Sequence, residues 1–225
     1  MIFSKNRWLS SSKPLQILFI FFLSLAFFSC SDSEADVVSA TGTVVFDFKD
    51  NESAPATRLA VFLQVTNEVQ RTESFSVYNS ESDYTWNVAK PGIFSGTNKN
   101  YAYSANLNAP SGESIPTGEY SVKYFDAAGN DDEAKFSVSY EKKLLTANAQ
   151  NFKDFLTNPT ENIAIYDDAG ELLFMGKAKS AWKTNEAIQK DYKLADTKRI
   201  CFVTSGNTVI CMLPAEKLKE ESSEQ

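Results

Sequence analysis

Histidine is absent from all 225 residues. Without it there is no His-based catalytic triad, and the commonest metal-binding side chain is missing. Nor is there a Gly-x-Ser-x-Gly elbow or a phosphate-cradling glycine loop. Carboxylates, aromatics and three cysteines remain for chemistry. Acids cluster at Asp131-Asp132-Glu133 and at Asp167-Asp168. Glycoside hydrolysis needs two carboxylates about 5–9.5 Å apart across a cleft. Sequence neighbours on a hairpin tip do not make a cleft, so a non-enzymatic protein without a cofactor is expected.

Two further sets of residues suit binding. Asp126, Asn130, Asp131, Asp132 and Glu133 gather oxygen atoms in one loop. Calcium takes about six to eight oxygens, often from such loops. The spacing is not that of an EF-hand, and it fits better with a solvated turn that keeps a sheet edge from pairing. Calcium is thus a weak candidate, and no metal is expected. Tyr84, Trp86, Tyr101 and Tyr103 lie on two neighbouring β segments. Exposed together, they would stack on sugar rings or hold a protein partner. The competing reading, which a sandwich core favours, buries Trp86 and leaves the tyrosines at its edge.

Cys201 and Cys211 flank Ser205-Gly206-Asn207, a turn-forming set between two β-rich runs. A hairpin centred on Gly206 places them directly opposite each other. Facing positions alternate between closer and wider spacing, and the closer one admits a disulfide. Two small apolar side chains packed on one sheet face fit the same pattern.

These residues need elements to position them. Val44, Phe46 and Phe48 alternate with Thr43, Val45 and Asp47, which predicts a strand with one strongly apolar face. Arg58 to Thr66 is apolar on both faces and reads as a central, covered strand. Strands follow at Ser74–Tyr78, Tyr84–Val88, Tyr101–Leu107, Gly118–Asp126 and Ala134–Tyr140. After Glu141-Lys142-Lys143 the pattern changes. Asn148 to Leu156 has apolar residues at helical spacing, and Asn158-Pro159 stops it. Asp167-Asp168-Ala169-Gly170 marks a hairpin. Thr184 caps a short helix to Tyr192, and Leu213 to Glu220 is expected to form another.

The N-terminus has a different character. Lys5, Arg7 and Lys13 precede an apolar run from Leu15 to Phe28, with no acid before Asp32. As a helix the run would reach about 21 Å, short of a bilayer core of about 30 Å. A basic start, a short apolar middle and a small residue before the break describe an export signal. Ser29-Cys30 at the break resembles a bacterial lipoprotein signal, with Phe27 in place of the usual leucine. The resemblance implies that Cys30 becomes the new N-terminus and carries acyl chains such as palmitate. SDSEAD then reads as a polar tether. Loss of residues 1–29 leaves 19 basic and 29 acidic residues, a charge of −10. That disfavours nucleic acid.

A second resemblance rests on PTGEYSVKYFDAAGN, Pro116 to Asn130. It is similar to the penultimate strand and following hairpin of bacterial immunoglobulin-like domains. Tyr120-x-Val122 matches the tyrosine-corner position, and Trp86 sits where the strand-C tryptophan would be. The resemblance covers roughly 41–140 and implies an antiparallel β-sandwich that spaces or binds rather than catalyses.

The expected organisation is a signal at 1–29, a tether at 30–40, an Ig-like sandwich at 41–140 and a small α+β hairpin module at 141–225. One extended mainly-β domain is the alternative. The expected function is a lipid-anchored lipoprotein of the bacterial cell envelope, periplasmic or surface-exposed. It would be held to the membrane by its N-terminal lipid and bind a protein or glycan partner. A structural accessory subunit of an envelope assembly is the alternative.

Overall fold

The computed structural model describes residues 37–66, 69–97, 99–109 and 112–218. The export signal, Cys30 and the tether up to residue 36 lie outside them. Among the described residues, no helix is long and apolar enough to cross a membrane.

The fold is mainly β, with two sheets. The smaller contains β3 (Thr72–Asn79), β4 (Tyr84–Val88), β7 (Gly118–Asp126) and β8 (Asp131–Val138), in the order β4-β3-β7-β8 and antiparallel throughout. The larger begins with β1 (Val37–Asp47), β2 (Ala56–Val65), β5 (Gly92–Ser95) and β6 (Asn100–Asn108). It continues with β9 (Thr160–Tyr166), β10 (Leu172–Gly176), β11 (Thr197–Val203) and β12 (Val209–Met212). Its order is β10-β9-β11-β12-β1-β2-β6-β5, and β13 (Glu216–Lys217) pairs with β11.

Period-2 patterning explains how the sheets meet. Val44 and Phe46 on β1 and Leu59, Val61 and Leu63 on β2 are fully buried on one face. Phe75, Val77, Tyr120, Val122 and Tyr124 of the smaller sheet join the same core. This is a sandwich-like packing of two sheets over alternating inward side chains.

The hairpins after residue 141 join this sheet. β12 runs parallel to β1, with Val44 opposite Val209 and Asp47 opposite Met212. The core is continuous as well. Phe48 packs on Phe152 at 5.3 Å between ring centroids, and Phe152 packs on Phe202 at 5.3 Å. Fully burying a ring such as Phe152 contributes about 1.5–3 kcal/mol. The segment between β8 and β9 therefore packs on β11 and on the residue that follows β1.

That segment differs from the expected helix. It holds 3-10 helices at Lys142–Thr146 and Phe152–Phe155. The Asn148 side-chain oxygen accepts from the backbone N–H groups of Gln150 and Asn151, at 3.0 and 3.2 Å. Such local bonds compete with an α-helical ladder. The next helix, α1 (Asn185–Asp191), forms as expected, with Thr184 Oγ1 accepting from Ala187 N–H. Its Ile188 is buried with Ile163 and Ile165. The helix expected over Leu213–Glu220 is not formed by its described residues. Glu216–Lys217 pairs with Thr197–Lys198 instead, and the Lys217 ammonium meets Asp196 at 2.8 Å.

Candidate functional site

The four aromatics singled out in the sequence separate. Trp86 is buried on β4, and its Nε1–H donates to the Asn108 carbonyl at 2.7 Å. Its ring lies 6.1 Å from Tyr120 at 26°, and the exposed Tyr84 meets it edge-on at 4.8 Å. Tyr101 and Tyr103 lie in the other sheet, on β6, where Ala102 between them points into the core. Alternation sends both tyrosines to the face turned away from the smaller sheet.

The acid loop does not converge. The Asp126 carboxylate is buried and already engaged. Its Oδ1 accepts from the N–H groups of Ala128 and Asn130 at 2.9 Å each, and its Oδ2 accepts from Asn130 Nδ2 at 3.1 Å. Burial alone would raise its pKa, but these bonds and Arg71 at 3.8 Å hold it below its usual value. Asp131 pairs with Lys123 at 3.0 Å, and Asp132 Oδ2 accepts from Val37 N–H at 2.7 Å. β8 begins at Asp131, so Asp132 points to the face opposite Asp131 and Glu133. Among the described residues, no three His, Cys, Asp or Glu side chains come together to hold a metal.

The cysteines also part. Phe202 faces Cys211, and Cys201 faces Met212. The loop has four residues between Thr204 and Val209, whose backbones bond at 3.0 Å, so the register moves by one. A one-residue shift reverses the face of every side chain. Cys211 thus joins the core between the sheets and Cys201 packs on the far face; both thiols are free and buried. Burial pushes Cys201 up to about 11 and Cys211 up to about 12. Neither is a thiolate at neutral pH.

The far face of the large sheet brings a different set together. Val45, Ala60, Ala164, Cys201 and Met212 are buried there, with Phe62, Ala105, Tyr166 and Ile210 packed against them. These side chains come from β1, β2, β6, β9, β11 and β12. One end holds charge. Arg199 Nη2 bonds Asp47 Oδ1, and Arg58 Nε lies 3.9 Å from Asp47 Oδ2. Arg58 also donates to the Ala105 carbonyl and, at 3.5 Å, to Met212 Sδ. Burial lowers the Arg58 pKa and raises that of Tyr166 beside it.

The other end is an uncharged pocket of about 470 Å³. Phe62, Tyr101, Met175, Val203 and Ile210 supply its apolar wall; Thr41, Thr43, Asn162 and Asn207 supply polar groups. Thr43 Oγ1–H donates to the Asn207 carbonyl at 2.6 Å and ties the hairpin tip to β1. Aromatic rings continue along one side. Phe62 stacks on Tyr103 at 5.6 Å and 19° and meets Tyr101 edge-on at 6.5 Å. Tyr101 in turn lies 6.4 Å from Phe94, which is 56% exposed at the sheet edge.

Tyr101 and Tyr103 therefore do share an aromatic face, with Phe62 and Phe94 in place of Tyr84 and Trp86. The signal for Phe62 was the two-sided apolar pattern of its strand. Asn162, Met175 and Asn207 carried none, because only the sheet order brings them near Tyr101. No family model and no curated protein matches this chain.

Proposed function

We propose that this protein is a non-enzymatic, lipid-anchored binding protein of the bacterial cell envelope, which takes a protein or glycan partner on the far face of its large sheet. The observation that carries this reading is the pocket beside the aromatic row Phe94-Tyr101-Phe62-Tyr103. Concave sites with mixed apolar walls and a few polar groups are where ligands bind.

The anchor rests on the basic, apolar and Ser29-Cys30 pattern of the N-terminus. The Ig-like reading is supported by strand order: β1-β2-β6-β5 and β4-β3-β7-β8 correspond to ABED and C′CFG. Tyr120 OH donates to the Pro116 carbonyl at 2.7 Å, the bond that a tyrosine corner makes. In this mapping Trp86 falls one strand after C, yet still packs against Tyr120. The strands after residue 141 would be an addition to the A edge rather than a module apart.

A second reading, an accessory subunit joined by strand addition, draws on β10. This edge strand has Leu172 52% exposed and Met175 39% exposed. Unpaired edges accept strands from partners.

Two measurements test the main reading. Labelling with a palmitate analogue is expected in the wild type and lost in Cys30→Ala; equal labelling would refute the anchor. Pull-down from envelope extract should recover a partner with the wild type and lose it with Tyr101→Ala. A partner retained by that variant would place binding elsewhere.

A further inference from the structure

We infer that the pocket at the Thr41 end of the far face takes the ring of an uncharged saccharide, an assignment that rests on the binding reading above. Three properties of the lining select this class. The first is charge. The lining holds no Asp, Glu, Lys or Arg, although the chain carries 51 such side chains. Arg58 and Arg199, the cations of this face, are committed to Asp47 and to backbone carbonyls at the opposite end. An anionic ligand finds no counter-charge in the pocket, and burying an unpaired charge is costly.

The second is hydrogen-bonding capacity. The side-chain amides of Asn162 and Asn207 have no hydrogen-bond partner among the described residues. Each amide offers donors and an acceptor. A sugar hydroxyl also donates and accepts, so one amide can serve a hydroxyl in both senses. An acyl chain would leave the half-buried Asn162 amide unpaired and stripped of water.

The third is shape. Tyr101 and Phe62 give the pocket aromatic walls, while Val203 and Ile210 add aliphatic surface. A pyranose presents apolar C–H faces with hydroxyls around its rim, which suits a ring wall edged by amides. The volume of about 470 Å³ falls in the usual range of small-molecule sites.

The test titrates the full-length chain in detergent with maltotetraose, mannotetraose and tetra-N-acetylchitotetraose, read by calorimetry. Tetragalacturonate is the anionic control, and an apolar heptapeptide is the non-sugar control. At least one neutral tetrasaccharide is expected to bind, with tetragalacturonate at least about tenfold weaker. Asn162→Ala, which removes no internal bond, and Tyr101→Ala should each weaken binding about tenfold. Leu194→Ala, at an exposed position outside the pocket, should leave it unchanged. No binding by any of the three neutral sugars overturns the inference, as does binding indifferent to both pocket variants. If the heptapeptide binds in a Tyr101-dependent way and no sugar does, the saccharide assignment falls while the binding reading stands. If the pull-down partner is also kept by Tyr101→Ala, both fall.

Discussion

Arg199 on β11 reaches across the end of β12 to the carboxylate of Asp47 on β1. The same guanidinium donates to the Leu213 carbonyl at 2.7 Å and to the carbonyls of Phe48 and Met212 at 3.2 Å each. One side chain thus clamps three adjacent strands. Arg199→Leu should destabilise the fold by about 2–4 kcal/mol, because Asp47 and several carbonyls lose a half-buried donor. Urea unfolding measures this. Arg199→Lys should recover little, since an ammonium cannot reproduce the planar fork.

The two cysteines should resist alkylation in the native protein and react together once it unfolds. Their position on opposite faces predicts no intramolecular bond under oxidising conditions, which mass spectrometry of the alkylated chain reads directly. Burial raises both thiols from an ordinary value of 9.0. Unfolded thiols then ionise while folded ones stay neutral. Their contribution to stability is complete below about pH 9 and is lost as pH rises towards the folded values of about 11 and 12.

Asp126 gives the opposite pH dependence. Its carboxyl is held below its ordinary value of 3.8, so the unfolded chain takes up its proton first as pH falls. Its contribution is present above that value and drains away as pH drops through the folded pKa. Asp126→Ala should cost about 2 kcal/mol near neutral pH by thermal unfolding, from turn N–H groups left unpaired. Because this carboxylate already serves the turn, added calcium should not shift the midpoint of the wild type.

Gly42 lies on β1 where a β-carbon would enter the ring of Phe136 on β8. It is a point where the two sheets come close. Gly42→Ala should cost about 1–3 kcal/mol by forcing that ring to move. Denaturant unfolding of Gly42→Ala beside Gly129→Ala separates the effects. Gly129 has open space around it but a φ of 84°, so its cost is backbone strain alone.

Local pattern carried much of this architecture. Alternation in Val44–Phe48 and Leu59–Val65 placed β1 and β2, and Asp167 to Gly170 marked the β9–β10 turn. Thr184 marked the start of α1. Register was harder to read. Ser205-Gly206-Asn207 announces a turn, yet a four-residue loop and a three-residue loop have nearly the same letters and opposite consequences for two thiols. The site was half legible. Tyr101 and Tyr103 stood out as aromatics in a strand. Their neighbours Phe62, Asn162 and Met175 come from β2, β9 and β10, and no local rule links those strands to β6.

The parallel seam between β1 and β12 also sets a timetable. Thr43 and the carbonyl it bonds, on Asn207, are 164 positions apart in the chain. A ribosome delivers the first of these long before the second. Until the last strands emerge, β1 has β2 on one side and a bare row of backbone groups on the other. Pairings of such long sequence separation form slowly, and exposed strand rows invite wrong neighbours meanwhile. Final closure of the large sheet therefore waits for Val209, and a chain truncated before it would carry β1 with one edge open.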